Sequence, residues 1–221
     1  MNSSRKRIIA GVSGLLFIIL IVLVRKYDVQ AIGPNGTKIG LSGINEAFHK
    51  MTGTRTVFYT LTEYLGYLAL GVAGLFALAG LIQLVKRKSF AKVDGEIYAL
   101  GVLYAVTIGL YVLFEKMIVN YRPVIMEGET EVEASFPSSH TMLICVIMGS
   151  TAMVADKYFE NEALRRFIKV ACICILTVTV LGRLFCGVHW FTDILGGLLV
   201  STFLLCIFSD VVDVISGAYE E

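Results

Sequence analysis

Two short stretches in the second half of the chain hold residues whose types and spacing could do chemistry. The first is Phe-Pro-Ser-Ser-His at residues 136–140, and the second is Arg183 followed by His189 and Asp193. Each stretch lies where an apolar run meets polar sequence, and together they hold two of the three histidines. Imidazole, carboxylate and guanidinium groups in such places can transfer protons and bind an anion.

The first stretch has the composition of a capped helix start. Pro137 suits the first turn of a helix, Ser138 can cap it, and the backbone N–H of Ser139 would then point out of the helix N-terminus. Such an end binds anions, and His140 in the same turn could protonate a leaving oxygen because imidazole titrates near neutral pH. Read alone, the stretch is explained as well by a capped helix without chemistry.

The second stretch holds a histidine and an acid four residues apart. His189 and Asp193 would share one face of a helix, and a carboxylate on one imidazole nitrogen leaves the other nitrogen free to attack. The alternative is an interfacial histidine that pairs with an acid beside Trp190. Arg122 and Arg183 supply planar guanidinium groups that suit phosphate oxygens, although an isolated interfacial arginine also meets lipid headgroups.

The composition indicates a membrane protein. Hydrophobic residues make up 56% of the 221-residue chain, charged residues only 17%, and the mean hydropathy is +0.75, whereas soluble domains carry roughly 25% charged residues. The net charge of +1 gives no sign of a nucleic-acid partner, and we expect none. Four of the five cysteines lie inside apolar runs, which favours packing roles over a disulfide framework.

Six apolar runs predict transmembrane helices, which need about 20 residues, and the fourth run is short unless residues 138–140 belong to the first turn of its helix. They cover residues 8–24, 57–85, 97–119, 141–155, 167–181 and 191–208. The first resembles a signal peptide, but no small-residue cleavage site follows it, so we expect a retained helix. The predicted fold class is an all-α membrane protein, a six-transmembrane-helix bundle that forms one domain over residues 1–221.

Two polar loops are predicted on the side of the bundle that carries the site. Residues 28–56 form the longest polar stretch, and apolar residues alternate on either side of Pro34-Asn35-Gly36, which predicts a loop with a small hairpin. Residues 121–140 form the second loop, which contains Arg122 and the first stretch at residues 136–140. Its glutamates at positions 127, 129, 131 and 133 predict a solvated segment or, alternatively, a lid that screens anionic lipids.

The basic residues predict the orientation. With a cytoplasmic N-terminus, eleven of the nineteen Lys and Arg residues fall on the inner side and eight on the outer side. The margin is small, but Lys116, Arg122 and Arg183 belong to the suspected site. We therefore predict cytoplasmic termini in the plasma membrane and a site at the outer face. This topology brings Arg122, residues 137–140 and residues 183–193 to the same face.

In this order, the pieces resemble the motifs of a known family. Arg122-Pro123, then Pro-Ser-Ser-His, then Gly-Arg-x5-His-x3-Asp on a six-helix chain are similar to the type 2 phosphatidic acid phosphatase superfamily of integral membrane lipid phosphatases. The resemblance implies hydrolysis of a phosphomonoester or pyrophosphate through a phosphohistidine, with no metal and no other cofactor. It implies that His189 is the nucleophile, oriented by Asp193, and that His140 protonates the leaving group and then activates water.

The resemblance also implies a set of phosphate-binding residues. Arg122, Arg183, Ser138, Lys116 and the backbone N–H groups near Ser139 would hold the phosphoryl oxygens as charge is redistributed.

Three positions depart from the family pattern. The family lysine lies seven residues before the arginine, but that position is Glu115 here, and Lys116 is six residues before Arg122. One residue turns a helix by about 100°, so either the connection is reshaped to let Lys116 reach in or the clamp is short one cation. The family glycine before the histidine is Ser139, and the serine usual before the third-motif arginine is Gly182.

The predicted function is removal of phosphate from a lipid at the outer leaflet. Undecaprenyl pyrophosphate, phosphatidylglycerol phosphate and phosphatidic acid are the candidate substrates, and membrane lipids are the other expected partners. One alternative is a lipid phosphotransferase, in which an acceptor other than water takes the phosphoryl group from His189. Another is a non-catalytic lipid-binding or transport protein of the same fold, although the sequence has no inverted internal repeat.

Overall fold

The computed structural model describes residues 2–126 and 128–217 and shows an almost entirely helical chain. The α-helices are α1 Ser3–Lys26, α2 Ser42–Thr52, α3 Thr56–Arg87, α4 Gly95–Lys116, α5 Ser139–Tyr158, α6 Glu162–Phe185 and α7 Phe191–Gly217. All except α2 are long and apolar enough to cross a membrane, and in the described ranges strand pairing is limited to isolated antiparallel bridges. The predicted six-span, all-α bundle is confirmed, and the chain is a multi-pass membrane protein.

Helix α7 extends beyond the apolar run from which it was predicted. The run ends at residue 208, whereas the helix continues to Gly217, and the two acids of this extension are paired with α1. Asp213 lies 2.5 Å from Nζ of Lys6, and Asp210 lies 2.9 Å from Nε of Arg7. These ion pairs join the first turns of α1 to the last turns of α7. Both ends of the described chain therefore lie at the same end of the bundle.

Helix α5 lies in the middle of the bundle. It packs against α3, α4, α6 and α7, and 61% of its most apolar stretch is buried, compared with 11–28% in the other spans. Small polar side chains let its neighbours approach: Ser150 Oγ lies 3.1 Å from the Tyr104 hydroxyl of α4, and Ser201 Oγ of α7 donates to the Met142 carbonyl at 3.2 Å. These contacts tie α5 to α4 and α7.

Two glycines permit close approach at the end of the bundle where α4 and α6 end and α5 and α7 begin, here called the site end. A Cβ atom at Gly182 would lie 2.6 Å from Thr62 Cγ2, so this glycine lets α6 approach α3. A Cβ atom at Gly197 would lie 2.9 Å from Thr141 Cβ, so α7 reaches the first turn of α5. Gly182, a departure from the family pattern, thus brings Arg183 next to α3.

Residues 28–56 contain a helix that the sequence reasoning did not anticipate. A single antiparallel bridge joins Gln30 and Ile39 where a small hairpin is predicted, and α2 follows it. Asn45 of α2 is fully buried and bonds twice to Thr192: its Nδ2 donates to Oγ1 at 3.0 Å, and its Oδ1 accepts the backbone N–H at 3.1 Å. Helix α2 therefore braces the first turn of α7.

Candidate active site

The residues of the sequence motifs meet at the site end. Arg122 lies in the loop between α4 and α5, His140 in the first turn of α5, Arg183 in the last turn of α6, His189 in the loop between α6 and α7, and Asp193 in the first turn of α7. Arg122, His140 and Arg183 line a polar cavity of about 490 Å³, and Arg122 and His189 line a small cleft. Side chains from distant parts of the sequence are thus brought together.

His189 and Asp193 form a buried pair. Nδ1 of His189 lies 3.6 Å from Oδ2 of Asp193, and that oxygen accepts the backbone N–H of Trp190 at 2.9 Å. By geometry neither imidazole nitrogen forms a hydrogen bond in the described part of the chain, although the Ser135 backbone is near enough to oppose the lowering of the His189 pKa. Burial lowers the pKa of His189 well below its usual value, and the positive charges of Arg122 and Arg183 lower it further. The imidazole is therefore neutral near pH 7, which is the nucleophilic form.

Arg183 is held against α3. Its side chain is 1% exposed, and Nη2 donates to Oε1 of Glu63 at 2.6 Å. The same oxygen lies 3.1 Å from Nε2 of His140, and the guanidinium lies 5.2 Å from the ring centroid of Tyr59. Nε and Nη1 of Arg183 are buried, and they have no hydrogen-bond partner among the described residues. Arg183 also lines the polar cavity, so a phosphate bound there would meet its guanidinium group.

Arg122 is positioned by a short ribbon in the loop between α4 and α5. Tyr121 and Ala134 form an antiparallel bridge, and the Arg122 N–H donates to the Glu133 carbonyl at 3.0 Å. The Glu133 carboxylate lies 2.9 Å from Nε of Arg122. Nε1 of Trp190 donates to the Tyr121 carbonyl at 2.7 Å. This bond ties the ribbon to the loop between α6 and α7.

Ser138 and Ser139 have different surroundings. Ser138 is fully buried: its Oγ accepts the N–H of Thr141 at 3.4 Å as the N-cap of α5, and its own N–H donates to the Asp193 carbonyl at 3.0 Å. Pro137 lies before this cap, so the expectation that it occupies the first helical turn is wrong. Ser139, unlike Ser138, lines the cleft.

The one-residue offset between Glu115 and Lys116 has a structural consequence. Lys116 is the last residue of α4, is exposed, and is not among the residues that line the polar cavity or the cleft. Glu115 instead lines the cleft together with Arg122 and His189. In this structure the offset therefore places Glu115, and not Lys116, at the cleft.

An apolar groove of about 240 Å³ adjoins the polar cavity. It is formed by side chains of α3, α4 and α5, and Glu63 and His140 line both spaces. Its walls include Tyr67 and Ile108, which are exposed on the surface of the bundle. The groove therefore connects the polar cavity with the side of the bundle that faces lipid.

Comparison with known proteins agrees with this fold. The sequence profile of the PAP2 superfamily matches residues 56–215, from the first residue of α3 into α7. The chain belongs to the PAP2 superfamily. A crystal structure described as the first transmembrane PAP2 type phosphatidylglycerolphosphate phosphatase from Bacillus subtilis has a similar fold, with a TM-score of 0.60, 18% identity and coverage of 96% of each chain. No curated protein sequence matches the chain significantly.

The acidic loop of this PAP2 protein borders the site. Glu129 and Glu133 line the polar cavity and Glu131 is exposed, whereas Glu127 lies outside the described residues. Negative charge therefore lies beside the space that an anionic substrate would enter, as the screening hypothesis for this loop requires.

Glu63 is the residue of the PAP2 site that motif reasoning missed. It is the only charged residue of the predicted span 57–85. An acid inside an apolar transmembrane segment is expensive, and it usually faces a partner or a cavity. That signal was present in the sequence, but the two partners of Glu63 lie on α5 and α6 and became visible only in the folded chain.

Proposed function

We propose that this PAP2 protein hydrolyses a phosphate monoester or pyrophosphate on a membrane lipid through a phosphohistidine at His189, without a metal ion. The observation that carries the proposal is the meeting of a buried neutral imidazole, a second imidazole, Arg122, and Arg183 with two donors unpaired among the described residues, beside a groove open to lipid. Membership of the PAP2 superfamily supports lipid phosphatase chemistry, as does the similarity to the phosphatidylglycerolphosphate phosphatase of Bacillus subtilis.

The proposed reaction has two steps that share the same residues. A nitrogen of His189 attacks phosphorus, the P–O bond to the lipid breaks, and His140 gives a proton to the leaving oxygen. Water then attacks phosphorus, the P–N bond breaks, and His140 accepts the proton of the water. The carboxylate of Asp193 balances the positive charge that develops on the His189 ring. Arg122 and Arg183 hold the phosphoryl oxygens in both steps.

The two adjoining spaces support a lipid substrate. The polar cavity holds Arg122 and Arg183 for the phosphate, and the apolar groove offers a place for the chain attached to it. A lipid that enters from the surface at Tyr67 would bring its phosphate ester past His140. Phosphatidylglycerol phosphate, phosphatidic acid and undecaprenyl pyrophosphate all have a phosphate next to a long apolar chain and are the candidate substrates.

The orientation of the site is also a proposal. The excess of basic residues at the other end of the bundle and the ion pairs between α1 and α7 support cytoplasmic termini in the plasma membrane, with the site at the outer leaflet. In a background without the native cysteines, Glu131→Cys should react with an impermeant maleimide on intact cells. Lys88→Cys should react only after lysis. The reverse result would invert the topology.

The activity is tested by phosphate release from purified protein in detergent micelles. The three candidate lipids are offered with and without EDTA, and His189→Ala is compared with His49→Asn, a change to the histidine that is outside the proposed machinery. We expect release from at least one lipid in EDTA, its loss in His189→Ala, and its retention in His49→Asn. No release from any lipid, or a His189→Ala variant as active as the parent, would contradict the proposal.

A further inference from the structure

Glu63 contacts both Arg183, which would hold the phosphoryl group, and His140, which would protonate the leaving oxygen. One oxygen of its carboxylate accepts a hydrogen bond from Nη2 of Arg183 at 2.6 Å and lies 3.1 Å from Nε2 of His140. The acid comes from α3, whereas its partners come from α6 and α5. It also lies where the polar cavity joins the apolar groove, since it lines both. The leaving oxygen of a lipid phosphate would pass this junction.

The charges around His140 determine how readily its imidazole is protonated, and the contact with Glu63 is one of them. Positively charged or titratable groups reach its surroundings from three elements: Arg183 of α6, Arg122 of the loop between α4 and α5, and His189 of the loop between α6 and α7. The other titratable groups that line the same spaces are Tyr59, Glu63 and Tyr67 of α3, Tyr111 of α4, and Glu129 and Glu133 of the loop. The two guanidinium groups oppose protonation of the imidazole, and Glu63 is the carboxylate within hydrogen-bond distance that opposes them.

We propose that Glu63 is a positioning residue that orients the His140 imidazole and favours its protonated form, so that His140 can act as the acid toward the leaving oxygen. The proposal rests on the proposed function, because it assigns a partner to the residue that protonates the leaving group in the first step. After His140 has given up its proton, the same contact keeps the imidazole oriented for the water that attacks the phosphohistidine.

The role predicts a dependence on the leaving group that other roles of Glu63 do not. The leaving group of an alkyl phosphate is a strongly basic alkoxide unless its oxygen is protonated as the bond breaks. The leaving group of 4-nitrophenyl phosphate is the weakly basic 4-nitrophenolate, which departs without a proton. If Glu63 acts through His140, its loss harms the alkyl ester far more than the nitrophenyl ester. If Glu63 only holds Arg183, the loss is shared, because Arg183 binds the phosphoryl group that both substrates have.

The experiment measures kcat/KM of purified protein for dodecyl phosphate and for 4-nitrophenyl phosphate. The parent is compared with Glu63→Gln, which keeps the shape, with Glu63→Asp, which keeps the charge, and with Glu129→Gln, which neutralises another acid of the cavity. The ratio kcat/KM includes leaving-group departure but not the later hydrolysis of the phosphoenzyme, so the two substrates report the acid step.

We expect Glu63→Gln to lower kcat/KM for dodecyl phosphate by about 10- to 100-fold more than for 4-nitrophenyl phosphate. Its alkaline limb for dodecyl phosphate should move to lower pH, because the imidazolium loses a stabilising carboxylate. Glu63→Asp should restore part of the difference, and Glu129→Gln should affect both esters equally. Equal losses for the two esters in Glu63→Gln, or an unmoved limb, would overturn the role of Glu63. A parent inactive on both esters and on the candidate lipids would instead overturn the proposed function.

Discussion

Arg183→Lys is the substitution that tests the phosphate clamp most sharply, because it keeps the positive charge and removes the planar fork. The Arg183 side chain is 1% exposed, and its Nε and Nη1 have no partner in the described ranges. If phosphate satisfies these two donors, the substitution removes two charge-assisted hydrogen bonds of about 1.5–3 kcal/mol each. A total of about 3–6 kcal/mol corresponds to a fall in kcat/KM of about 10²- to 10⁴-fold.

The assay is phosphate release from phosphatidic acid in detergent micelles, with thermal unfolding measured on the same preparations. Arg166→Lys is the matched control, because Arg166 is 75% exposed at the other end of α6 and pairs with Glu162 at 2.7 Å. Such a surface pair contributes only about 0–1 kcal/mol to stability and lies at the opposite end of the helix from the site, so Arg166→Lys should leave kcat/KM within about threefold of the parent. A folded Arg183→Lys protein with activity within about threefold of the parent would show that the planar guanidinium group is not needed to bind the phosphate.

Three further predictions concern the nucleophile, the displaced cation and the packing of α6. Because the pKa of His189 is lowered from its usual 6.5, the acid limb of kcat/KM, corrected for substrate ionisation, should lie below that pH, and an acid limb at or above it would contradict a neutral nucleophile. Glu115→Lys should lower KM for an anionic lipid by roughly 3- to 10-fold, since it adds a cation to the cleft; an unchanged KM would show that this position does not reach the phosphate. In Gly182→Val the new side chain should collide with Thr62, since a Cβ atom at residue 182 would lie 2.6 Å from Thr62 Cγ2. The substitution should lower the free energy of unfolding by roughly 1–3 kcal/mol and reduce activity. A variant as stable and active as the parent would show that α6 can shift freely.

The spans and the position of the motifs could be predicted because they depend on local properties. A membrane helix needs a long uncharged run, and a chain that crosses six times must alternate between two ends. Residues 136–140 and Arg183 therefore had to reach the same end once the runs were counted. The end of α7 could not be predicted in this way, because it depends on a contact between Lys6 and Asp213, which are 207 residues apart in sequence.

The details of the site depended on tertiary contacts. The sequence marks Glu63 as an unusual acid, but only the fold shows that it contacts both Arg183 and His140. In the same way, the motif offset raised two possibilities for Lys116, and the path of the chain after α4 leaves that side chain exposed. Helix α2 was missed because its eleven residues are too short and too polar to stand out from a loop.

The central claim is that His189 carries the phosphoryl group, and trapping that intermediate tests it most directly. Purified protein is mixed with ³²P-labelled phosphatidic acid, quenched within milliseconds to seconds, and mapped by peptide analysis, with His189→Ala as the comparison. The account predicts an acid-labile, alkali-stable label on His189 that forms and decays at rates compatible with turnover and is missing from His189→Ala. A label on another residue, or turnover by the parent with no label at any time, would contradict it.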